Sequence, residues 1–137
     1  MITIEILEQV EELLDELREY AAEGTPILVE GSRDRKSLRE LDVGGHIVQI
    51  TGKETALNFL SGLAHYKQVV ILTDFDRTGD ELAKFCSKHL RGLGPKPILD
   101  IRKKLKALLR KDVKDIQGIA KFLRGQKTVL RKTFCLS

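Results

Sequence analysis

Two short stretches carry the residue types that could do chemistry. Glu30 and Gly31 close the apolar run ILVEG, and Asp74, Asp76 and Gly79 follow a second apolar run in VVILTDFDRTGDE. If both runs are strands, Glu30 and Asp74 stand at strand tips, with Asp76 two residues on along the same side. In an open parallel sheet the ligand crevice lies beyond the carboxyl ends of the strands, so three carboxylates would converge there. Carboxylate oxygens are hard donors suited to a cation such as magnesium, which keeps several waters and takes the rest of its shell from substrate phosphate. Like charges this close also raise at least one carboxyl pKa in the absence of metal. Glu30 is then a candidate for moving a proton to or from a ribose or phosphate oxygen.

The surrounding elements can be read from periodicity. Apolar positions from Ile4 to Ala21 recur at spacings of three and four, as on one face of an amphipathic helix whose other face is acidic. Gly24 and Pro26 end it. Beyond this break, 27–29, 46–50, 69–73 and 97–101 read as short β-branched strands, separated by helical spacing over Arg33–Leu41, Glu54–Tyr66 and Gly79–Leu90. Strands alternating with crossover helices predict a four-stranded, mainly parallel α/β sheet with helices on both faces. Two more helices are predicted at Arg102–Leu109 and Asp115–Leu123, followed by a short strand or loose tail.

Charge divides the chain unevenly. Residues 1–101 carry 12 Lys and Arg against 18 Asp and Glu, whereas residues 102–137 carry 12 against 2. An acidic body followed by a basic extension suggests a footprint for phosphates, with Lys103, Lys104 and Lys106 as nucleic-acid contacts. Lys53 and Arg77, beside the expected crevice, are further candidates. The absence of Trp and the small number of aromatics give no base-stacking platform. TGKET is no phosphate-binding P-loop, because the upstream glycine of that motif is absent. Ser32 and Ser37 lack a partner base. His46, His65 and His89 lack ligand spacing, and Cys86 and Cys135 form no C-x-x-C pair. No run approaches the roughly 18 apolar residues of a spanning helix, and no apolar leader opens the chain, which predicts a cytoplasmic protein without membrane contact.

Together, LVEGSRD and DFDRTGDE resemble the Toprim domain, whose marks are Glu-Gly after the first strand and D-x-D-x-x-G after the third. The domain is shared by topoisomerases, bacterial-type primases, overcoming-lysogenization-defect nucleases and the ribonuclease that matures 5S ribosomal RNA. The resemblance spans roughly residues 26–101 and is nearest to small stand-alone archaeal Toprim proteins. It implies a Rossmann-like Toprim fold over 26–101 between an N-terminal helix (1–25) and the basic extension (102–137), all in one domain. It also implies Glu30 as general acid or base, Asp74 and Asp76 as magnesium ligands with manganese as a substitute, and Asp80 and Glu81 as further contributors. With only Tyr20 and Tyr66 available and no zinc ligand set, a complete topoisomerase or primase is disfavoured. The expected function is a magnesium-dependent nuclease or RNA-processing enzyme acting on RNA or DNA. The alternative is a non-catalytic nucleic-acid-binding accessory. A homodimer or protein partner could use the apolar stripe of the first helix.

Overall fold

The structure, a computed structural model, describes residues 2–51 and 53–135, and the side chains of these except at 53–55 and 130–135. Helix α1 (Ile4–Ala22) starts at Thr3, whose hydroxyl accepts the Ile6 N–H at 3.2 Å. It stops where Gly24 adopts φ +88°, a left-handed conformation open to glycine. Strand β1 (Ile27–Val29) follows. Strands β2 (Ile47–Gln49), β3 (Gln68–Ile71) and β4 (Lys96–Ile98) complete a sheet of order β2-β1-β3-β4. Every pairing is parallel, with Ile27 beside Ile47 on one side and Val70 on the other.

Helices α2 (Ser32–Glu40), α3 (Lys53–Ser61) and α4 (Arg77–Leu93) make the crossovers. The chain moves one way from β1 to β2 and then reverses, so a constant right-handed crossover puts α2 on one face and α3 and α4 on the other. Side chains alternate accordingly. Ile27, Val29, Val70 and Leu72 pack into a core shared with α1 and α2, whereas Leu28, Val69 and Ile71 meet Ala56, Leu60, Leu82 and Cys86 of α3 and α4.

The segment after β4 belongs to the first of these cores. Helix α5 (Asp100–Leu109), a 3-10 turn (Ile116–Gly118) and helix α6 (Ile119–Cys135) follow in order. They contribute Ile101, Leu105, Leu109, Val113, Ile116, Ile119 and Leu123 to it. The apolar stripe of α1, suggested above as a surface for a second chain, lies in the same core through Val10, Leu13, Leu14 and Leu17.

Several boundaries differ from the sequence reading. The strand expected over 97–101 ends at Ile98, because Asp100 begins α5. The helix expected over Asp115–Leu123 is broken into the 3-10 turn and α6, with the Asp115 carboxylate accepting the Gly118 N–H at 2.9 Å. The expected strand or loose tail is instead helical as far as Cys135, since α6 continues without interruption. Among the described residues no helix is long and apolar enough to cross a membrane.

Leu105 has no exposed surface, whereas Leu57 is 44% exposed. Leu105→Ala should therefore cost about 2–5 kcal/mol, and Leu57→Ala within about 0.5 kcal/mol. Urea midpoints measure both. Equal midpoints for the two variants would show that the segment after β4 is not part of the cooperative core.

Candidate metal centre at the sheet's switch point

Neighbouring strands β1 and β3 lead into α2 and α4, which leave on opposite faces, so a crevice opens beyond their carboxyl ends. Glu30 and Asp74 stand there. The Asp74 backbone N–H donates to Glu30 Oε2 at 2.6 Å, which brings the two carboxyls within electrostatic reach of each other. Burial, then the neighbouring Asp74 carboxylate, pushes Glu30 up to about 7. Burial likewise raises Asp74, against a hydrogen bond from the Ile116 N–H to its Oδ1 at 3.0 Å. Burial and mutual repulsion therefore both oppose ionisation of the pair.

Two further acids, which the sequence reading did not single out, belong to this cluster. Asp34 is only 4% exposed and accepts the Gly31 N–H at 2.9 Å on Oδ2. Burial, reinforced by the charges of Asp74 and Asp115, raises its pKa to about 6. Asp115, half-buried at the start of the 3-10 turn, also bears on Asp74. The signal for Asp34 lies in the sequence: an acid three residues after the glycine that starts α2 is the reciprocal half of a capping box. Gly31 itself has extended backbone (φ −149°).

Asp76 is exposed and caps α4, its Oδ1 accepting the Gly79 N–H at 2.7 Å. No hydrogen bond occupies its Oδ2 among the described residues. Gly79 is required by close approach, because a Cβ there would overlap the Asp74 carbonyl. Thr73 Oγ1 also donates to the Gly79 carbonyl at 2.7 Å, folding this loop tightly on itself.

Asp80 points elsewhere. Arg102 Nη2 donates to its Oδ1 at 2.7 Å, and Lys106 Nζ reaches Oδ1 and Oδ2 at 2.9 and 2.7 Å. Desolvation pulls its pKa up, but these hydrogen bonds outweigh it and hold the carboxyl below its ordinary value. With both oxygens committed to cations, Asp80 is a structural anion and not one of the clustered acids. Glu81 pairs with Arg77 on the exposed first turn of α4.

Arg102 is 7% exposed. Its Nε donates to the Thr73 carbonyl at 3.0 Å and its Nη2 to the Asp74 carbonyl. The guanidinium thus fixes the backbone on which Asp74 is mounted. The loop after α5 adds a second brace, with Phe75 N–H donating to the Lys114 carbonyl at 2.9 Å.

The expected nucleic-acid contacts separate. Lys103 is exposed between α4 and α5, Lys106 is tied to Asp80, and Lys104 faces Glu12 and Glu16 of α1. Arg77 is exposed beside Asp76. Gly52 and the Lys53 side chain lie outside the described residues. His46 and His65 stack near Tyr66, and His89 near Phe85. Ser37 accepts the Ala120 N–H, and the buried Cys86 thiol is raised to about 12 by burial and then by Glu30.

Among the described residues no three His, Cys, Asp or Glu side chains form a closed metal cage. The donor set suits a hard cation nonetheless. One or two carboxylates are what magnesium ordinarily takes from protein, water and phosphate filling the remaining positions.

The Toprim domain matches residues 25–106, a span that includes Glu30, Asp34, Asp74 and Asp76. The chain belongs to the Toprim family. It is 39% identical over 130 residues to a UPF0292 protein of Methanosarcina barkeri, covering 94% of this chain and 89% of that protein. It is 41% identical over 109 residues to a UPF0292 protein of Pyrococcus abyssi, covering 80% of each. A solved structure of an Aquifex aeolicus protein shares the fold at TM-score 0.63 and 24% identity, over 78% of this chain and 94% of that one. The Toprim domain implies a nucleic-acid-related, metal-binding function.

Because folded Glu30 titrates near 7 against an ordinary 4.5, the folded state holds this proton more tightly than the unfolded chain. The resulting stability is fully present below the ordinary value and is lost as pH rises through the folded one. In chelator, the thermal midpoint should fall from about pH 5 to about pH 8, and Glu30→Gln should flatten that slope. Identical slopes for the two proteins would remove Glu30 from the titrating pair.

Proposed function

We propose that this Toprim protein is a magnesium-dependent phosphodiester enzyme, a nuclease or RNA-processing enzyme acting on RNA or DNA, with manganese as a substitute. The observation that carries the reading is the Glu30–Asp74 pair, two half-buried carboxyls joined through the Asp74 N–H at the switch point of a parallel sheet. Asp74 and Asp76 would hold the cation, leaving Glu30 beside it to move the proton. When bound, it would polarise the phosphoryl group and stabilise charge developing on the leaving oxygen.

The chain's own groups divide the remaining work. With a pKa near 7, Glu30 accepts or gives a proton at its carboxylate oxygens without a large energetic mismatch at neutral pH. Asp74 is oriented by the Ile116 N–H, and its backbone is held by Arg102. Asp34, buried behind the pair, adds negative charge that favours a divalent cation over solvent. Asp80 takes no part in this reading as a ligand; it pairs with Arg102 and holds it in place.

The test uses labelled single-stranded, duplex and structured RNA and DNA, incubated with magnesium, with manganese and with chelator. Wild type should cleave at least one class in metal alone. Glu30→Gln and Asp74→Asn should each lose about 100-fold or more while keeping the wild-type circular dichroism. Cleavage at the wild-type rate by folded Asp74→Asn would overturn the assignment. Binding without cleavage under every condition would favour the non-catalytic accessory. Magnesium should also raise the thermal midpoint of wild type more at about pH 8 than at about pH 5, because protonated carboxyls bind it poorly.

A further inference from the structure

The surface between α4 and α5 is strongly basic. It forms a cleft of about 470 Å³. Lys84, Lys88 and Arg91 line it from α4, and Lys103 from α5. All four are exposed, and none is paired with a carboxylate among the described residues. The sole acid in the lining is Asp80, whose charge is already met by Arg102 and Lys106. Six cations therefore surround one satisfied anion.

Spacing adds to this. Positions 84, 88 and 91 follow the i, i+4, i+7 pattern and share one face of α4, spanning about 10 Å at the helical rise. A duplex strand presents a phosphate about every 3.4 Å along its axis, so this row spans about three phosphate-to-phosphate intervals. The cleft also leads to the carboxylate pair, because Arg102 at its floor donates to both Asp80 and the Asp74 carbonyl.

The other side of α5 presents the opposite electrostatics. Lys104 lines a cleft of about 640 Å³ together with Glu12 and Glu16 of α1. An approaching polyanion is repelled there. Adjacent lysines on one helix therefore face different surroundings.

We propose that the α4–α5 cleft is the track for the nucleic-acid backbone, with Lys84, Lys88, Arg91 and Lys103 as its phosphate contacts and Lys104 outside it. This rests on the reading of the Toprim centre as acting on nucleic acid, and it names where the strand lies. The row meets charge and offers no aromatic face, so it recognises the backbone and not the bases.

Binding is measured by fluorescence anisotropy in chelator, where cleavage is stopped, with labelled 20-nucleotide RNA and DNA at several salt concentrations. Lys84→Gln/Lys88→Gln/Arg91→Gln should weaken binding at least tenfold and reduce the slope of log affinity against log salt by about 2, at roughly 0.7 per single-strand phosphate. Lys103→Gln should add to the loss, and Lys104→Gln should bind like wild type. Unfolding midpoints of these surface variants should match wild type, so that a loss reports on contact. Wild-type affinity and slope in the triple variant would overturn the track, as would equal competition by poly-glutamate, which would assign the cleft to an acidic protein. Normal binding by this track with no cleavage in any metal would refute the enzyme reading and leave the track standing. Metal-dependent cleavage with undiminished binding by the triple variant would do the reverse.

Discussion

Two carboxyls at the tips of adjacent parallel strands, close enough to oppose each other's ionisation, set the terms for the structure around them. Their repulsion and partial burial both oppose ionisation. A fold that keeps such a pair must hold its backbone rigidly, since relaxation would separate the charges. The rigidity here comes from dipoles and one cation aimed at backbone and not at the carboxyls themselves. Arg102 grips the Thr73 and Asp74 carbonyls, Thr73 grips the Gly79 carbonyl, and the Asp74 N–H is held by Glu30. A guanidinium placed against the carboxylates would have relieved the repulsion and lowered both pKa values. Placed behind them, it leaves their demand for positive charge unmet.

That arrangement makes the segment after β4 indispensable. A buried guanidinium needs an anion, and Asp80 supplies it from α4 while Lys106 balances the second carboxylate oxygen. The side chains that brace the centre are anchored by burial of Ile101, Leu105 and Leu109 on the face opposite α4. The loop beyond α5 returns to the β3 tip, where Ile116 and Lys114 meet Asp74 and Phe75. The polar bracing and the apolar packing thus have the same source, and weakening one displaces the other.

Legibility followed the range of each interaction. The alternation of apolar strands and amphipathic helices is local, so the parallel sheet and the tips bearing Glu30 and Asp74 could be read directly. Asp34 was within reach as well, since its bond to Gly31 spans three residues. Asp80 was not, because its partners lie 22 and 26 residues away in a helix whose packing no spacing rule fixes. Asp115 bears on Asp74 only because the chain returns 42 residues later. Lys103 and Lys104 are equivalent as sequence, but successive residues on a helix point about 100° apart, and the fold places acidic α1 beneath one of them.

The charge asymmetry of the chain takes on a different meaning in three dimensions. Acidic α1 does not remain apart from the basic C-terminal third; it packs beside α5, and Lys127 and Arg124 of α6 pair with Glu11 and Glu40. Much of the linear polarity is therefore cancelled on that face of the sheet. What survives is a smaller basic surface, and α4, from the formally acidic body, supplies three of its exposed cations. A net charge counted along the sequence located excess lysine but not free lysine. The distinction matters because a phosphate backbone responds to cations without local partners, and Lys84, Lys88 and Arg91 are three of these on the helix capped by Asp76, next to the carboxylate pair.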